Sequence, residues 1–271
     1  MRMGIALLLA WASAGCSERQ APPSPAEAVI QFERTSSDPV AHGERLATVL
    51  GCNGCHGRDL QGNDWSAPGF VTMYSANLTQ SAARLSDAEL TEAIQGGRRP
   101  DRDLWDMPSH LFTKLGDNEV QAVIAFIRTH PPKGPVHAPP EVGPAGQKEI
   151  DKGSWWSSAE GVRRSGNAWP PDAGADHALG RYIVRATCAE CHGMDLRGGQ
   201  PTPDAKTRPD LRMVAGYDGP AFRRLLRTGK ASGDREVSLM SQVARGRYAH
   251  FTEAEVEAVH RYLQRVGEID P

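Results

Sequence analysis

The sequence contains the pattern C-x-x-C-H twice, as CNGCH at residues 52–56 and as CAECH at residues 188–192. In a helical turn, residues three apart project from the same face, so the two cysteine side chains of each copy lie side by side. Both thiols can then form thioether bonds with the two vinyl groups on one edge of a porphyrin, and the following histidine can bind the iron. Each copy therefore predicts one covalently attached haem c.

We expect two haem c groups, each with two thioether cysteines and one proximal histidine. The predicted haem-binding residues of these two motifs are Cys52, Cys55, His56, Cys188, Cys191 and His192. The alternatives are a zinc site and redox-active C-x-x-C pairs. Zinc would require the two cysteine pairs to converge across residues 56–187, and it would not explain why each pair is followed by His-Gly.

The length of the chain limits the number of domains, and its net charge argues against a nucleic-acid-binding protein. A chain of 271 residues suits one large or two small domains. Its net charge of −2 provides no basic face for nucleic acid, so we expect no nucleic-acid partner. Aromatic residues make up only 6% of the chain. A haem in each domain would add a large apolar plate to the core and offset this scarcity.

The beginning of the chain resembles an export signal. An apolar run at residues 5–12 follows Arg2 and is too short to span a bilayer, so we predict a signal peptide over residues 1–15. Residues 12–14 fit an A-x-A cleavage site after Ala14, whereas residues 13–16 resemble a bacterial lipobox, although Ser13 replaces its usual aliphatic residue. We expect lipidation of Cys16, because the other four cysteines belong to the haem motifs. Both alternatives predict export, and we expect the periplasmic or cell-surface side of a bacterial membrane.

The remaining chain divides into two similar halves. A tether rich in proline and serine is predicted over residues 16–37, and its apolar residues Val29, Ile30 and Phe32 are candidates for docking on a domain. Domains are predicted at residues 38–132 and 177–267, with a Pro/Gly-rich linker at 133–176 between them. GRDLQG follows the first motif and GMDLRG follows the second, which indicates an internal duplication. We expect a modest, polar interface between halves that fold separately.

A second axial ligand would close the open position of each iron and favour electron transfer. Met107 lies 51 residues after His56, and Met240 lies 48 residues after His192, each shortly before the last helix of its half. This matched spacing predicts ligation of the two irons by Met107 and Met240. The other candidates, which lack this correspondence between the halves, are Met73, His110, Met194 and Met213.

Two further sets of residues are expected around each haem. The second ring nitrogen of a proximal histidine usually donates to a carbonyl group. We expect this carbonyl near residues 68–69 for His56 and within residues 203–209 for His192. The basic candidates for pairing with haem propionates are Arg98, Arg99, Arg208 and Lys230.

Beyond the haem motifs, VAHGERLA at residues 40–47, NLT at 77–79 and MP at 107–108 resemble class I cytochrome c domains. The resemblance extends to the multi-haem cytochrome subunits of periplasmic alcohol and aldehyde dehydrogenases, which often contain three haems. It covers both repeats. It implies two tandem all-α cytochrome c domains, each with about three main helices around one haem, axial His and Met, and an exposed edge for electron exchange.

These features predict a di-haem electron carrier that passes single electrons between a redox protein donor and a redox protein acceptor, without bond-making chemistry. The alternative from another class is a di-haem peroxidase, which also separates two C-x-x-C-H motifs by more than a hundred residues. That enzyme needs an open iron with acid/base groups above it. A structural haem subunit of a larger complex is a third alternative.

Overall fold

The computed structural model describes residues 30–200 and 206–269. The predicted signal peptide, Cys16 and the tether up to residue 29 lie outside the described residues. Helices dominate, and the strands are two-residue segments, so the all-α prediction is confirmed. None of the helices within these two ranges has the length and apolar character required to cross a membrane.

The first half begins with two helices that surround the first haem motif. Its helices are α1 (Pro39–Leu50), α2 (Cys52–His56), α3 (Leu78–Arg84), α4 (Asp87–Thr91), α5 (Ser109–Phe112) and α6 (Asp117–Arg128). Its strands are β1 (Val71–Thr72), β2 (Arg98–Arg99) and β3 (Arg102–Asp103), and a π-helical turn at Glu92–Gly96 extends α4. β2 and β3 form an antiparallel hairpin directly before the loop that contains Met107.

The linker contains regular structure, and the second half repeats the first. The linker elements are β4 (Glu141–Val142), α7 (Pro144–Asp151) and α8 (Ser158–Ser165). The second half contains α9 (Ala178–Thr187), α10 (Ala189–His192), α11 (Gly219–Thr228), β5 (Lys230–Ala231), β6 (Arg235–Glu236), α12 (Leu239–Gly246) and α13 (Glu253–Ile269). The β5–β6 hairpin precedes Met240 as β2–β3 precedes Met107.

In each half the first helix crosses the last helix at very close range, and glycine permits this approach. A Cβ atom on Gly43 of α1 would lie 1.8 Å from the carbonyl oxygen of Ala122 in α6. A Cβ atom on Gly180 of α9 would lie 2.2 Å from the carbonyl oxygen of Ala258 in α13. Both distances are far below van der Waals contact, so any larger residue would separate the helices.

The segment after each haem motif has the same local conformation in both halves. Leu60 and Leu196 are fully buried and have positive φ angles of 59° and 60°. The N–H of Leu78 donates to the carbonyl of Leu60 at 2.8 Å, and the N–H of Leu211 donates to that of Leu196 at 2.9 Å. The duplication inferred from the sequence therefore extends to the backbone around each proximal histidine.

The two halves share one continuous apolar core, so the expectation of a modest, polar interface is wrong. Phe32, within the predicted tether, is fully buried and packs edge-on against Tyr182 of the second half, with ring centroids 5.7 Å apart. Arg185, exposed by only 1%, donates to main-chain carbonyls of the first half and of the linker. These long-range contacts were not apparent from composition, which shows only that the linker is rich in proline and glycine.

Buried carboxylates at the N-termini of the two last helices contact the same N-terminal segment, residues 30–37. The N–H of Phe32 donates to Glu119 of α6 at 2.7 Å, and the N–H of Glu33 donates to Glu255 of α13 at 2.9 Å. Glu255 also forms a buried ion pair with Arg45 of α1 at 2.9 Å. This segment therefore connects the equivalent ends of both halves instead of serving as a free tether.

The linker packs against the first half. β4 pairs with β1 in antiparallel register, with Val142 opposite Val71. Trp155 packs against Phe70 and Trp105, with ring centroids 4.8 Å and 4.5 Å away. The residues predicted as a Pro/Gly-rich linker thus form part of the surface that encloses the first haem motif.

Candidate haem sites

The first haem site lies where α2, the β2–β3 hairpin and the Met107 loop meet. A cavity of about 510 Å³ is lined by Cys55, His56 and Met107, and an adjoining cavity of about 90 Å³ is also lined by Cys52. The walls of the smaller cavity come mainly from apolar side chains of α1, α4, α5 and α6. Four of the residues predicted from sequence therefore face one apolar space.

The second haem site has the same composition. A cavity of about 370 Å³ is lined by Cys188, His192 and Met240, together with apolar side chains of α11 and α13. Cys191 lies on the same turn of α10, with a partly buried thiol. An extended apolar space beside two thiols and an imidazole is the environment that a covalently bound porphyrin requires, so both sites fit haem c.

A main-chain carbonyl orients each proximal imidazole. Nδ1 of His56 lies 2.7 Å from the carbonyl oxygen of Ala76, and Nδ1 of His192 lies 2.8 Å from that of Pro209. Because a carbonyl only accepts, Nδ1 must hold the proton, which leaves Nε2 free to bind a metal. The expectation for His192 included Pro209. The expectation of residues 68–69 for His56 is wrong, because the backbone turns back to the ring only at Ala76.

Burial lowers the pKa of both proximal histidines, although the hydrogen bonds to the Ala76 and Pro209 carbonyls partly oppose this effect. His56 and His192 are each only 8% exposed. The neutral imidazole is thus the favoured form at neutral pH, and it is the form that binds iron.

The cysteine environments argue against the alternatives of redox-active and zinc-bound thiolates. Burial raises the pKa of Cys52 to about 11 and also raises the pKa of Cys55, Cys188 and Cys191. The reactive thiols of redox-active pairs need surroundings that lower the pKa instead. Across residues 30–200 and 206–269, no three His, Cys, Asp or Glu side chains are grouped as a zinc site would require.

Met107 and Met240 are both partly buried and pack against the shared core. Each also lines the cavity that contains its half's proximal histidine. Met73 and Met213 line the same two cavities, so position alone does not distinguish these methionines. Ligation by Met107 and Met240 therefore stays a prediction that rests on their matched positions after the two hairpins.

One of the four predicted propionate partners lines a haem cavity. Arg99 lines both cavities of the first site; its buried Nε makes no hydrogen bond, although it lies 3.6 Å from the exposed carboxylate of Asp101. Arg98 is absent from the lining of both cavities, and its Nε lies 3.6 Å and 3.9 Å from the carboxylates of Glu92 and Asp103. Lys230 pairs with Glu236 at 2.7 Å. Arg99 is thus the candidate that the geometry favours for a propionate.

Sequence reasoning missed an ion pair between the two haem motifs. Glu190, inside the second motif, lines the cavities of the first haem site. Its carboxylate accepts a 2.8 Å hydrogen bond from Arg247, which also donates to the carbonyls of Val49 and Leu50, directly before the first motif. Arg247 therefore links the main chain directly before α2 to the side chain of Glu190 in α10. The sequence shows that Glu190 occupies a variable position of the second C-x-x-C-H motif, but it does not show that Glu190 contacts Arg247.

A family model of cytochrome c matches residues 40–131 and again residues 177–267, which together exceed half of the chain. This chain belongs to the cytochrome c family. None of the curated proteins compared with it matches significantly. The family is that of haem-based electron transfer, and its two tandem domains agree with the two sites described above.

The two cavities of this cytochrome provide the surroundings that haem c needs. Haem c provides reversible one-electron chemistry at its iron. The cysteine pairs would hold it through thioether bonds, and His56 and His192, oriented by the carbonyls of Ala76 and Pro209, would bind the iron. The mainly apolar walls of the cavities would provide a low-dielectric environment for such a group.

Proposed function

We propose that this protein is a di-haem electron carrier that passes single electrons between a periplasmic donor and a periplasmic acceptor, and that it makes and breaks no substrate bonds. The observation that supports the proposal is the repetition of one arrangement. In each half a buried proximal histidine and a late methionine line the same apolar cavity. Two six-coordinate irons would exchange electrons but would bind small ligands poorly.

The contacts between the halves support electron exchange within the molecule. Arg247 donates to the main chain shortly before α2, the helix of the first haem motif, and pairs with Glu190 of α10, the helix of the second motif. Buried side chains of both halves also belong to one apolar core. We therefore propose that an electron accepted by one half passes to the other before it leaves.

The cellular context is also a proposal. The predicted leader and Cys16 support export and attachment to the outer side of a bacterial membrane through lipid. The resemblance to dehydrogenase cytochrome subunits supports a periplasmic dehydrogenase or a respiratory chain as the partner. The di-haem peroxidase alternative is not favoured, because both halves match the cytochrome c family and both provide a late methionine.

Single methionine substitutions test the ligation. In the ferric protein, Met107→Ala and Met240→Ala should each remove about half of the near-infrared sulfur-to-iron charge-transfer band. Met73→Ala and Met213→Ala are the matched controls, because these residues line the same cavities, and they should leave the band intact. A band lost in a control and retained in the corresponding test variant would assign the ligand to the other methionine.

Fractionation tests the anchor. Cys16→Ser should release the protein into the soluble periplasmic fraction or block its processing. Mass spectrometry of the mature wild-type protein should find a lipid on an N-terminal Cys16. A mature chain that begins at Gly15 with an unmodified Cys16 would rule out the lipid anchor and favour ordinary secretion.

A further inference from the structure

We propose that the linker residues Trp155, Ser157 and Ser158 are positioning residues for Met107: they fix the loop that contains this methionine against the first haem site. The proposal rests on the proposed ligation of iron by Met107. It concerns a segment that lies between the two matched cytochrome c regions, residues 40–131 and 177–267.

Hydrogen bonds connect the linker to Asp106 and to Met107 itself. The indole N–H of Trp155 donates to the carboxylate of Asp106 at 2.9 Å. The N–H of Met107 donates to the side-chain oxygen of Ser158 at 3.1 Å. The linker thus fixes the backbone of the methionine itself and the side chain immediately before it.

Two more hydrogen bonds fix the preceding part of the loop. The N–H of Ser158 donates to the carbonyl of Leu104 at 2.8 Å, and the hydroxyl of Ser157 donates to the carboxylate of Asp103 at 3.1 Å. Trp105 and Ser157 also form an isolated antiparallel bridge. Residues 103–107 are therefore bound to residues 155–158 almost as a strand is bound to its neighbour.

The conformation of the loop explains why it needs external support. Asp106 has a φ angle of +57°, a left-handed conformation that non-glycine residues seldom adopt, although aspartate tolerates it better than most. The bond from Trp155 holds the side chain of this residue. Trp155 is itself fixed, because its ring packs between Phe70 and Trp105.

The corresponding loop of the second half is held differently. Ser238, two residues before Met240, also has a positive φ angle, of 52°. Here the N–H of Val237 donates to Ser241 at 2.8 Å, and Ser241 donates to the carbonyl of Gly229 at 2.6 Å. These partners belong to the second half, as does Lys206, which donates to Ser238 at 3.0 Å. The Met240 loop is thus an internal reference for the linker's effect on Met107.

Displacement of the methionine by an added ligand measures this support. Imidazole can bind the ferric iron only after the methionine loop moves away. Loss of one linker hydrogen bond should make that movement easier, by roughly tenfold in the apparent imidazole affinity at the first haem. In the reciprocal Met107→Ala background, where the band reports Met240, the same linker substitutions should leave imidazole affinity unchanged, because the Met240 loop contacts no residue of 155–158 among the contacts described above.

The experiment uses the full chain with Met240→Ala, so that the remaining charge-transfer band reports Met107 alone. Trp155→Phe, which removes the indole N–H and keeps an aromatic ring, and Ser158→Ala should each raise the imidazole affinity about tenfold. Trp156→Phe, at a neighbouring exposed tryptophan, is the matched control and should have no effect.

The outcomes separate this proposal from the proposed function. If the Met240→Ala protein retains no band, or if Met107→Ala leaves the band intact, the ligation itself is wrong. If the band reports Met107 but neither Trp155→Phe nor Ser158→Ala changes imidazole affinity, the ligation stands and the positioning role of the linker is refuted. Ser158→Ala, which removes a single buried hydroxyl, decides the result if Trp155→Phe fails to fold.

Discussion

Replacement of Arg185 by leucine should destabilise the whole protein, because this side chain joins the two halves. Arg185 is almost fully buried in α9, and burial lowers the pKa of its guanidinium to about 10, so it remains a cation at neutral pH. It has no carboxylate partner among the hydrogen bonds of the described residues. Its hydrogen-bond acceptors are the main-chain carbonyls of His110, Leu111, Gly166 and Ala168 and the hydroxyl of Thr113.

The loss of unfolding free energy depends on how many oxygen atoms lose the donor that Arg185 provides. A buried polar group left without its partner costs about 1–3 kcal/mol. Removal of the guanidinium also removes the cost of burying a charge, which offsets part of this loss. We expect a net loss of roughly 3 kcal/mol for Arg185→Leu. This is a large fraction of the total stability of about 5–15 kcal/mol that is typical of folded proteins.

Urea unfolding of the haem-loaded full chain, followed by circular dichroism, measures this change. The matched control is Arg181→Leu, one turn earlier on α9, where the side chain is a quarter exposed and pairs with the exposed Asp172 at 2.9 Å. Because exposed pairs contribute little, we expect less than about 1 kcal/mol there. Equal destabilisation by Arg185→Leu and Arg181→Leu would refute the importance of the buried contacts between the halves.

Three further perturbations have defined outcomes. Arg247→Met should lower the reduction potential of the first haem by on the order of 30–60 mV, because Glu190 is then unpaired and favours the ferric charge; a redox titration measures this, and an unchanged or raised potential would contradict it. Phe32→Ala should cost about 3–5 kcal/mol in thermal or urea unfolding, since the ring is fully buried. A hydrogen bond from Lys230 is the main reason that the pKa of Glu236 is lowered to about 2. Stability from this carboxylate is present above its unfolded pKa and is lost as the pH falls from about 4.5 towards 2, so Glu236→Gln should flatten the acid side of the stability profile.

The haem motifs and the duplication could be predicted because they depend on local spacing. C-x-x-C-H places three reactive side chains within one helical turn, and tertiary contacts need not be known. The duplication could also have predicted which carbonyl group accepts from His56. Asn77 and Asp210 are matched positions of the two repeats, and the partners Ala76 and Pro209 directly precede them. An expectation based on each half separately missed this correspondence.

The contacts between the halves could not be predicted, because they join residues far apart in the chain. Nothing in the sequence around Arg185 or Glu119 distinguishes a buried polar side chain from an exposed one. The packing of Trp155 of the linker against Phe70 and Trp105 is another contact of this kind. The hydrogen bond from Trp155 to Asp106 depends on how residues 106 and 155 meet in space. Separately exported halves should therefore be less stable than the intact chain, because each loses buried partners.

Carbon monoxide binding to the reduced full-length protein tests most directly whether each half binds one haem c through histidine and methionine. Mass spectrometry of the same sample should first show two covalently attached haems. The Soret spectrum should then stay unchanged when carbon monoxide is added, because both irons already have six ligands. Immediate, stoichiometric binding at either haem, or a protein with only one attached haem, would contradict the closed di-haem electron carrier.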